Sequence, residues 1–496
     1  MRYFDPVDKI WYGPKETPLF HPDASAGKVL EFVMKQHYCK VGLICDPTGE
    51  EWTYEKLHKT AVNIAQNIST KGLSQDDVIG ICASNSLYST SVALAALITG
   101  IPISSIDPSF DKEGIQHIYG ITKPKIVFCD GSVLNKLSEG LREIGLQTEI
   151  FVVDSNEESG TIDEFLKESD ECFRSAHLKY GGDHTAIFVT SSGSTGLITF
   201  FKAILHGAKR VITNKPFSAE YLLHLIEKYQ VTILVTPPTS LVLLGHSPKL
   251  QSTDLKSLTQ YLLAGSVIPF DILKKVKEYM PNVTMIAGYG CSELGSCCTS
   301  GEITAPNANG HVRENYELKI IDEQSNNLGV WETGEIVVKR PTPWLGYFGN
   351  DAATDHIWSD GQLLTGDLGY FDEKGTLYIV GRKKYIMKYQ GFQYSPNEIE
   401  QVILELSDVV EVCVCGIPDF ISIDLPAAAV VKKNGSSLSE NEISEYVHRK
   451  MPVYKQLHGG VYFMDEIPKT VNGKSLRKVV KEKLINLHAA RTFRSD

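Results

Sequence analysis

Residues 190–196 read TSSGSTG, directly behind the short apolar run Ala186-Ile187-Phe188-Val189. Gly193 and Gly196 let a backbone turn tightly and approach an anion. Thr190, Ser191, Ser192, Ser194 and Thr195 add hydroxyl donors beside the main-chain N–H groups. Phosphate oxygens suit such a cradle, and the run before it reads as a buried strand. Ser/Gly runs are also ordinary linker material, and the GxxxxGK[ST] frame is absent. A second group, GYGCSE, places Tyr289, Gly290, Ser292 and Glu293 behind the strand-like VTMIA, where parallel strands present ligand-binding loops. A carboxylate there could hold Mg²⁺, and a polar turn is the plainer reading. LLTGDLGYF offers Asp367 as an acceptor and GRKK offers Arg382 as a donor, a pair fit for ribose hydroxyls or simply two surface charges. IPKTVNGK lifts Lys474 on a sharp turn, or is a basic surface loop.

The elements that must position these residues change along the chain. KVGLICD, VIGICAS, IPISSID, KIVFCD, EIFVVD, TAIFVT, VTILVTPP, YLLAGS and VTMIAGYG alternate with amphipathic stretches, which implies parallel sheets covered by helices. Beyond residue 315, NYELKIID, GEIVVK, LGYFD and EKGTLYIVG predict a small antiparallel barrel or sheet. Asp372 to Gly375 is its hairpin turn. A compact α+β tail follows Arg382-Lys383-Lys384. Ser395, Pro396 and Glu398 form a helix start there, and Ser439 with Glu442 forms a second capping box. Cys413 and Cys415 alternate onto one strand face as core residues rather than metal ligands.

The 496 residues, 42% hydrophobic and 22% charged, suffice for several domains with cores of their own. A net charge of −11 argues against non-specific nucleic-acid binding, which needs clustered cations. Ten cysteines without CxxC or zinc-type spacing, and a polar start MRYFDPVDKIWYG, predict an intracellular protein without disulfides. The longest apolar run, SVALAALITGIPIS, is too short to cross a bilayer, so no transmembrane segment is expected. The C-terminal Arg494-Ser495-Asp496 does not match the S-K-L peroxisomal address.

Taken together, TSSGSTG, GYGCSE, TGD, GRKKYIMKYQGFQYSPNEIE and PKTVNGK resemble the adenylate-forming superfamily in order and arrangement, over nearly the whole chain. The resemblance is to its acyl-CoA synthetase, coumarate-CoA ligase and luciferase branch. It implies an α/β fold with two doubly wound sheets and a β-barrel in an AMP-binding domain over 1–383. A small mobile α+β lid over 384–496 completes it, hinged near Lys384. By the same resemblance Thr190 to Gly196 meet the pyrophosphate end of ATP, and Tyr289 with Gly290 meets adenine. Glu293 is then the Mg²⁺ ligand with Ser292 beside it, and Asp367 and Arg382 hold ribose. Gly265 and Ser266 border the adenylate and acyl group. Lys474 serves the first half-reaction and Lys388 the second.

The activity so implied is ATP-dependent activation of a carboxylic acid, a medium or long fatty acid by the branch, to an acyl-adenylate and then to acyl-CoA. ATP, Mg²⁺ and coenzyme A are the expected cofactors and co-substrates. A non-catalytic nucleotide- or acyl-binding relative and a luciferase-like monooxygenase are the alternatives. The branch suggests peroxisomes, and without S-K-L a cytoplasmic location stays open as the alternative. One stretch departs from the family. After TSSGSTG the family continues with x-P-K-G and several dozen residues of helix and strand, whereas here Leu197-Ile198-Thr199 joins directly to FFKAILHGAKRVIT. An internal deletion describes the join most simply. By the resemblance, such a loss would remove a phosphate-facing lysine and part of the acyl-pocket wall.

Overall fold

The structure, a computed structural model, describes residues 2–154, 160–168, 173–189, 194–470 and 474–492. The chain divides into two units, one comprising Thr17–Pro216 with Tyr347–Asn350, the other Met1–Glu16, Phe217–Gly346 and Asp351–Asp496.

In the first unit, Glu149–Val152, Ile126–Cys129, Ile79–Cys82, Ile103–Ser105 and Ile187–Phe188 form a parallel sheet in that order. Its central strands are continuous apolar runs because both faces are covered. The apolar run that began at Ser91 is the second half of the helix Leu87–Thr99, buried nearly all round. Ser86 and Ser89 form a capping box at its start. Gly100, with φ of 73°, ends it in the left-handed conformation that glycine tolerates best. The strand expected at 186–189 is shorter, Ile187–Phe188, and half-buried. Among the described residues its strand partner is Ile103–Ser105, so it stands at the sheet's edge with one side not flanked by another strand.

At the join, a single helix, Ser194–Leu205, runs through the residues on both sides of it. Phe200 and Ile204 are buried in the same core as Leu30 and Met34, each contributing roughly 1.5–3 kcal/mol of apolar burial. Arg210–Ile212 then pairs in parallel with Val41–Cys45, which pairs antiparallel with Glu50–Thr53. The residues after the join thus have folded partners.

The second unit holds a mixed sheet in which Ile233–Thr236, Gln260–Ala264 and Thr284–Gly290 run parallel. Cys297–Glu302 and His311–Val312 then turn back antiparallel. Gly290 permits that reversal, since a Cβ there would lie 2.4 Å from the Ser296 carbonyl oxygen. The antiparallel part is a seven-stranded sheet that also takes in Tyr3–Asp5 and Ile10–Tyr12 from the N-terminus. Within it, Gln362–Phe371 and Leu377–Arg382 form the expected hairpin. Asp372 Oδ1 accepts from the Lys374 and Thr376 amides across the turn.

The tail contains a further five-stranded sheet built on the long pair Val409–Asp419 and Ile423–Lys432. Both expected capping boxes are present, at Ser395 with Glu398 and at Ser439 with Glu442. Cys413 and Cys415 are core residues, as their alternation implied.

Candidate functional site

Asp367 is the focus of the site. It lies opposite Arg382 in the hairpin register, so two strands present a carboxylate and a guanidinium side by side. Arg382 Nε donates to Asp367 Oδ1 at 2.7 Å, and the Tyr289 hydroxyl donates to Oδ2 at 2.9 Å. Asp367 is buried, and burial pushes its pKa up; Arg382, Tyr289 and Lys474 each oppose that rise. Tyr289 is pushed well up, first by burial and then by the Asp367 charge, so its phenol remains a donor at neutral pH. An ionised carboxylate has about four acceptor positions, and two are taken. The remaining lone pairs can accept from a vicinal diol.

The turn that presents Asp367 is held from behind. Thr365 Oγ1 accepts from the Asp367 amide and donates to the Ile336 carbonyl. Glu335 accepts from the Gly366 amide at 3.1 Å and from Lys383 Nζ at 2.8 Å, gripping the residue before Asp367 and the residue after Arg382. Neither support has a sequence signal beyond an acidic residue in a strand.

Tyr289 is the penultimate residue of the strand Thr284–Gly290, and the next turn, Ser292–Leu294, carries Ser292 and Glu293. Arg340 Nη1 donates to the Glu293 carbonyl at 2.6 Å, and Nη2 donates to Thr342 at 3.0 Å. Arg340, in VVKRPTPW, was not apparent from sequence because a lone arginine before proline has no motif. Burial and then the adjoining Glu293 carboxylate push the Cys291 thiol up, so it stays protonated. Gly265, with φ of 104° and open space where a Cβ would stand, and Ser266 follow the neighbouring parallel strand Gln260–Ala264. Ala264 stands opposite Gly288 in the register, so both motifs leave the same end of the sheet.

Lys474 sits on a tight hairpin in which the Thr470 amide donates to the Lys474 carbonyl, and its ammonium acts on the Asp367 carboxylate. Lys388 stands elsewhere, exposed on the strand Met387–Tyr389, with its amide donating to Asp424. Thr190, Ser191, Ser192 and Gly193 lie outside the described residues, as do Asn472 and Gly473. Ser194, Thr195 and Gly196 form the first turn of the helix Ser194–Leu205 in the other unit.

Among the described residues no cluster of three or more His, Cys, Asp or Glu could hold a metal on its own. Mg²⁺ needs no such cluster, since it keeps its waters and commonly takes one or two carboxylates plus substrate phosphates. Glu293, on the Ser292–Leu294 turn, is a carboxylate of that kind.

The AMP-binding enzyme family matches residues 31–198 and 197–348, two pieces that meet at the join described above. Residues 398–474 match the AMP-binding enzyme C-terminal domain. The chain belongs to the AMP-binding enzyme family. Among its relatives, the luciferin 4-monooxygenase of Luciola mingrelica is 30% identical, with 96% of this chain and 97% of that one covered. A probable 4-coumarate–CoA ligase of Dictyostelium discoideum is 28% identical, covering 89% and 92%. In fold, the chain resembles the anthranilate CoA ligase AuaEII, solved with anthranoyl-AMP, at a TM-score of 0.85 and 21% identity over 95% of this chain and 99% of that one. This AMP-binding enzyme has no helix among its described residues long and apolar enough to cross a membrane.

Proposed function

We propose that this AMP-binding enzyme is an acid–thiol ligase that joins a medium or long fatty acid to coenzyme A through an acyl-adenylate. The observation that carries this reading is the buried Asp367, bonded by Tyr289 and Arg382 and lying in the field of Lys474. Probable CoA ligases among its relatives support the thiol acceptor. The domain limits follow the same reading, with an adenylation domain over 1–383 and a lid over 384–496.

A carboxylate is a poor acyl donor. In the first half-reaction its oxygen attacks the α-phosphorus of ATP, and pyrophosphate leaves. In the second, the coenzyme A thiol displaces AMP from the acyl carbon. Both reactants of the first step are anions, and two unit charges ~4 Å apart repel by about 4 kcal/mol at an effective dielectric near 20. Lys474 lowers that repulsion as the carboxylate approaches phosphate. Asp367 and Arg382 hold the ribose, Tyr289 packs against adenine, and Gly265 with Ser266 borders the acyl group. Glu293 would hold Mg²⁺, which would supply charge neutralisation to the phosphates. Thr190 to Gly196 would serve the pyrophosphate end of ATP. Lys388 serves the thiol step, which a rotation about the Lys384 hinge brings forward in exchange for Lys474.

The test is acid-dependent pyrophosphate release with ATP and Mg²⁺ across a panel of medium and long fatty acids and aromatic acids, followed by thioester formation with coenzyme A. The shortened segment after Gly196 favours a second reading, a protein that binds nucleotide without turning it over. A folded protein that binds ATP and releases no pyrophosphate with any acid would establish the second reading over the first. Light emission from adenylated luciferin would mark a luciferase-like activity instead.

A further inference from the structure

Cys413 and Cys415 lie on one face of the strand Val409–Asp419, both buried, with their sulfurs 4.0 Å apart. Arg477, the first residue of the helix Arg477–Thr492, closes over them from both ends. Its Nη1 donates to the carbonyl of the intervening Val414 at 2.8 Å and lies 3.8 Å from Cys413 Sγ. Its own carbonyl accepts from Cys415 Sγ at 3.7 Å. Nη2 donates to Asn397 at 3.0 Å and to Glu400 at 2.7 Å, so both terminal nitrogens are engaged. Three residues before Arg477 is Lys474, and the Leu476 amide bonds back to Pro468 across the same hairpin. The dithiol and the hairpin of Lys474 therefore share one anchor.

We propose that Cys413 and Cys415 form a reversible thiol–disulfide pair that peroxide oxidises, and that the disulfide loosens the Arg477 anchor of the Lys474 hairpin. The chemistry suits a small oxidant, since both sulfurs are buried. The Cys415 thiolate attacks one oxygen of hydrogen peroxide, giving a sulfenic acid and, after protonation, water. The Cys413 sulfur then attacks the Cys415 sulfur and expels a second water. Two thiols lose two electrons and two protons, and one peroxide is reduced to two waters. The hydrogen bond from Cys413 lowers the Cys415 pKa against the opposing effect of its burial, and the nearby Arg477 charge adds to that lowering. Closing 4.0 Å to a bond of about 2.05 Å within one strand twists the backbone around Val414. The Cys415 bond to the Arg477 carbonyl is lost as well. A strained disulfide of this kind is easily reduced, which suits a switch rather than a staple.

The test uses the full chain. Trypsin releases residues 389–432 as one peptide whose only cysteines are Cys413 and Cys415. After peroxide, that peptide should lose two hydrogens and resist alkylation, and dithiothreitol should restore it. Hydrogen exchange should rise at residues 474–480 in the oxidised protein, and should stay at the reduced level in peroxide-treated Cys413→Ala and Cys415→Ala. No disulfide in that peptide would overturn the proposal, and so would a disulfide that leaves exchange at 474–480 unchanged. The activity arm rests on the ligase reading: oxidation should cut pyrophosphate release at least tenfold while sparing thioester formation from adenylate supplied ready-made. A disulfide with raised exchange in a protein whose reduced form is inactive would support the switch and count against the ligase reading.

Discussion

Asp367 and Arg382 share one register position across the hairpin of Gln362–Phe371 and Leu377–Arg382, and their side chains meet at 2.7 Å. The register brings a carboxylate and a guanidinium together, because neighbouring strands put paired residues on one face. It also carries a cost, since burial holds the Asp367 pKa up.

The first prediction follows from that cost. A carboxylate whose folded pKa is raised favours the folded state only when protonated, so its contribution is lost as pH rises from the ordinary carboxylate range through the raised value. Asp367→Asn does not titrate. Thermal unfolding of the ligand-free proteins should therefore show the variant gaining on the parent as pH rises through that window. In the same variant, ATP affinity measured by calorimetry should fall about 10–100-fold, the equivalent of roughly 1.5–3 kcal/mol for a lost charged hydrogen bond.

Lys474 and Lys388 should separate the half-reactions. Lys474→Ala should lower adenylate formation at least 100-fold, since it removes a cation needed most as charge shifts in the transition state. It should leave thioester formation from supplied adenylate within a few-fold of the parent. Lys388→Ala should show the reverse pattern, and equal effects of either variant on both steps would contradict the division.

Arg340 holds the turn of Glu293 through the backbone carbonyl rather than through substrate. Arg340→Met should raise the Mg²⁺ concentration needed for half-maximal pyrophosphate release several-fold. It should also cost about 1–3 kcal/mol of stability by leaving that carbonyl without its partner. Denaturant titration and a Mg²⁺ series measure the two effects separately.

Ile423 has φ of 73°, a left-handed conformation that a β-branched side chain tolerates poorly, and its side chain is largely exposed. Ile423→Gly should relieve roughly 1–2 kcal/mol of strain against roughly 0.5–1 kcal/mol of added chain entropy. A net gain near 0.5–1 kcal/mol in unfolding free energy is expected.

Restoring a family-type segment between Gly196 and Phe200, with its Pro-Lys-Gly start, should raise pyrophosphate release far more than ATP affinity. A loop lysine near the departing phosphates acts mainly in the transition state. Measuring turnover, ATP binding and thermal unfolding for both chains checks this, and equal turnover with unchanged unfolding would refute it.

The amino-acid sequence by itself determined the local features. Ser395 with Glu398 and Ser439 with Glu442 capped helices because a capping box is complete within four residues. The turn from Asp372 to Gly375 and the alternation of Cys413 and Cys415 were legible for the same reason, as each needs only its near neighbours. The motif order likewise identified the family, since it survives the join. Tertiary structure decided what depends on distant residues. Only the fold puts Tyr289 on Asp367, 78 positions away, and lets Glu335 grip both sides of the hairpin. Arg340 and Arg477 carry no pattern of their own; they matter because folding brings a carbonyl, a thiol pair or a carboxylate within reach. The edge strand Ile187–Phe188 is short for the same reason: whether an apolar run has a neighbour on each side is a property of the sheet and not of the run.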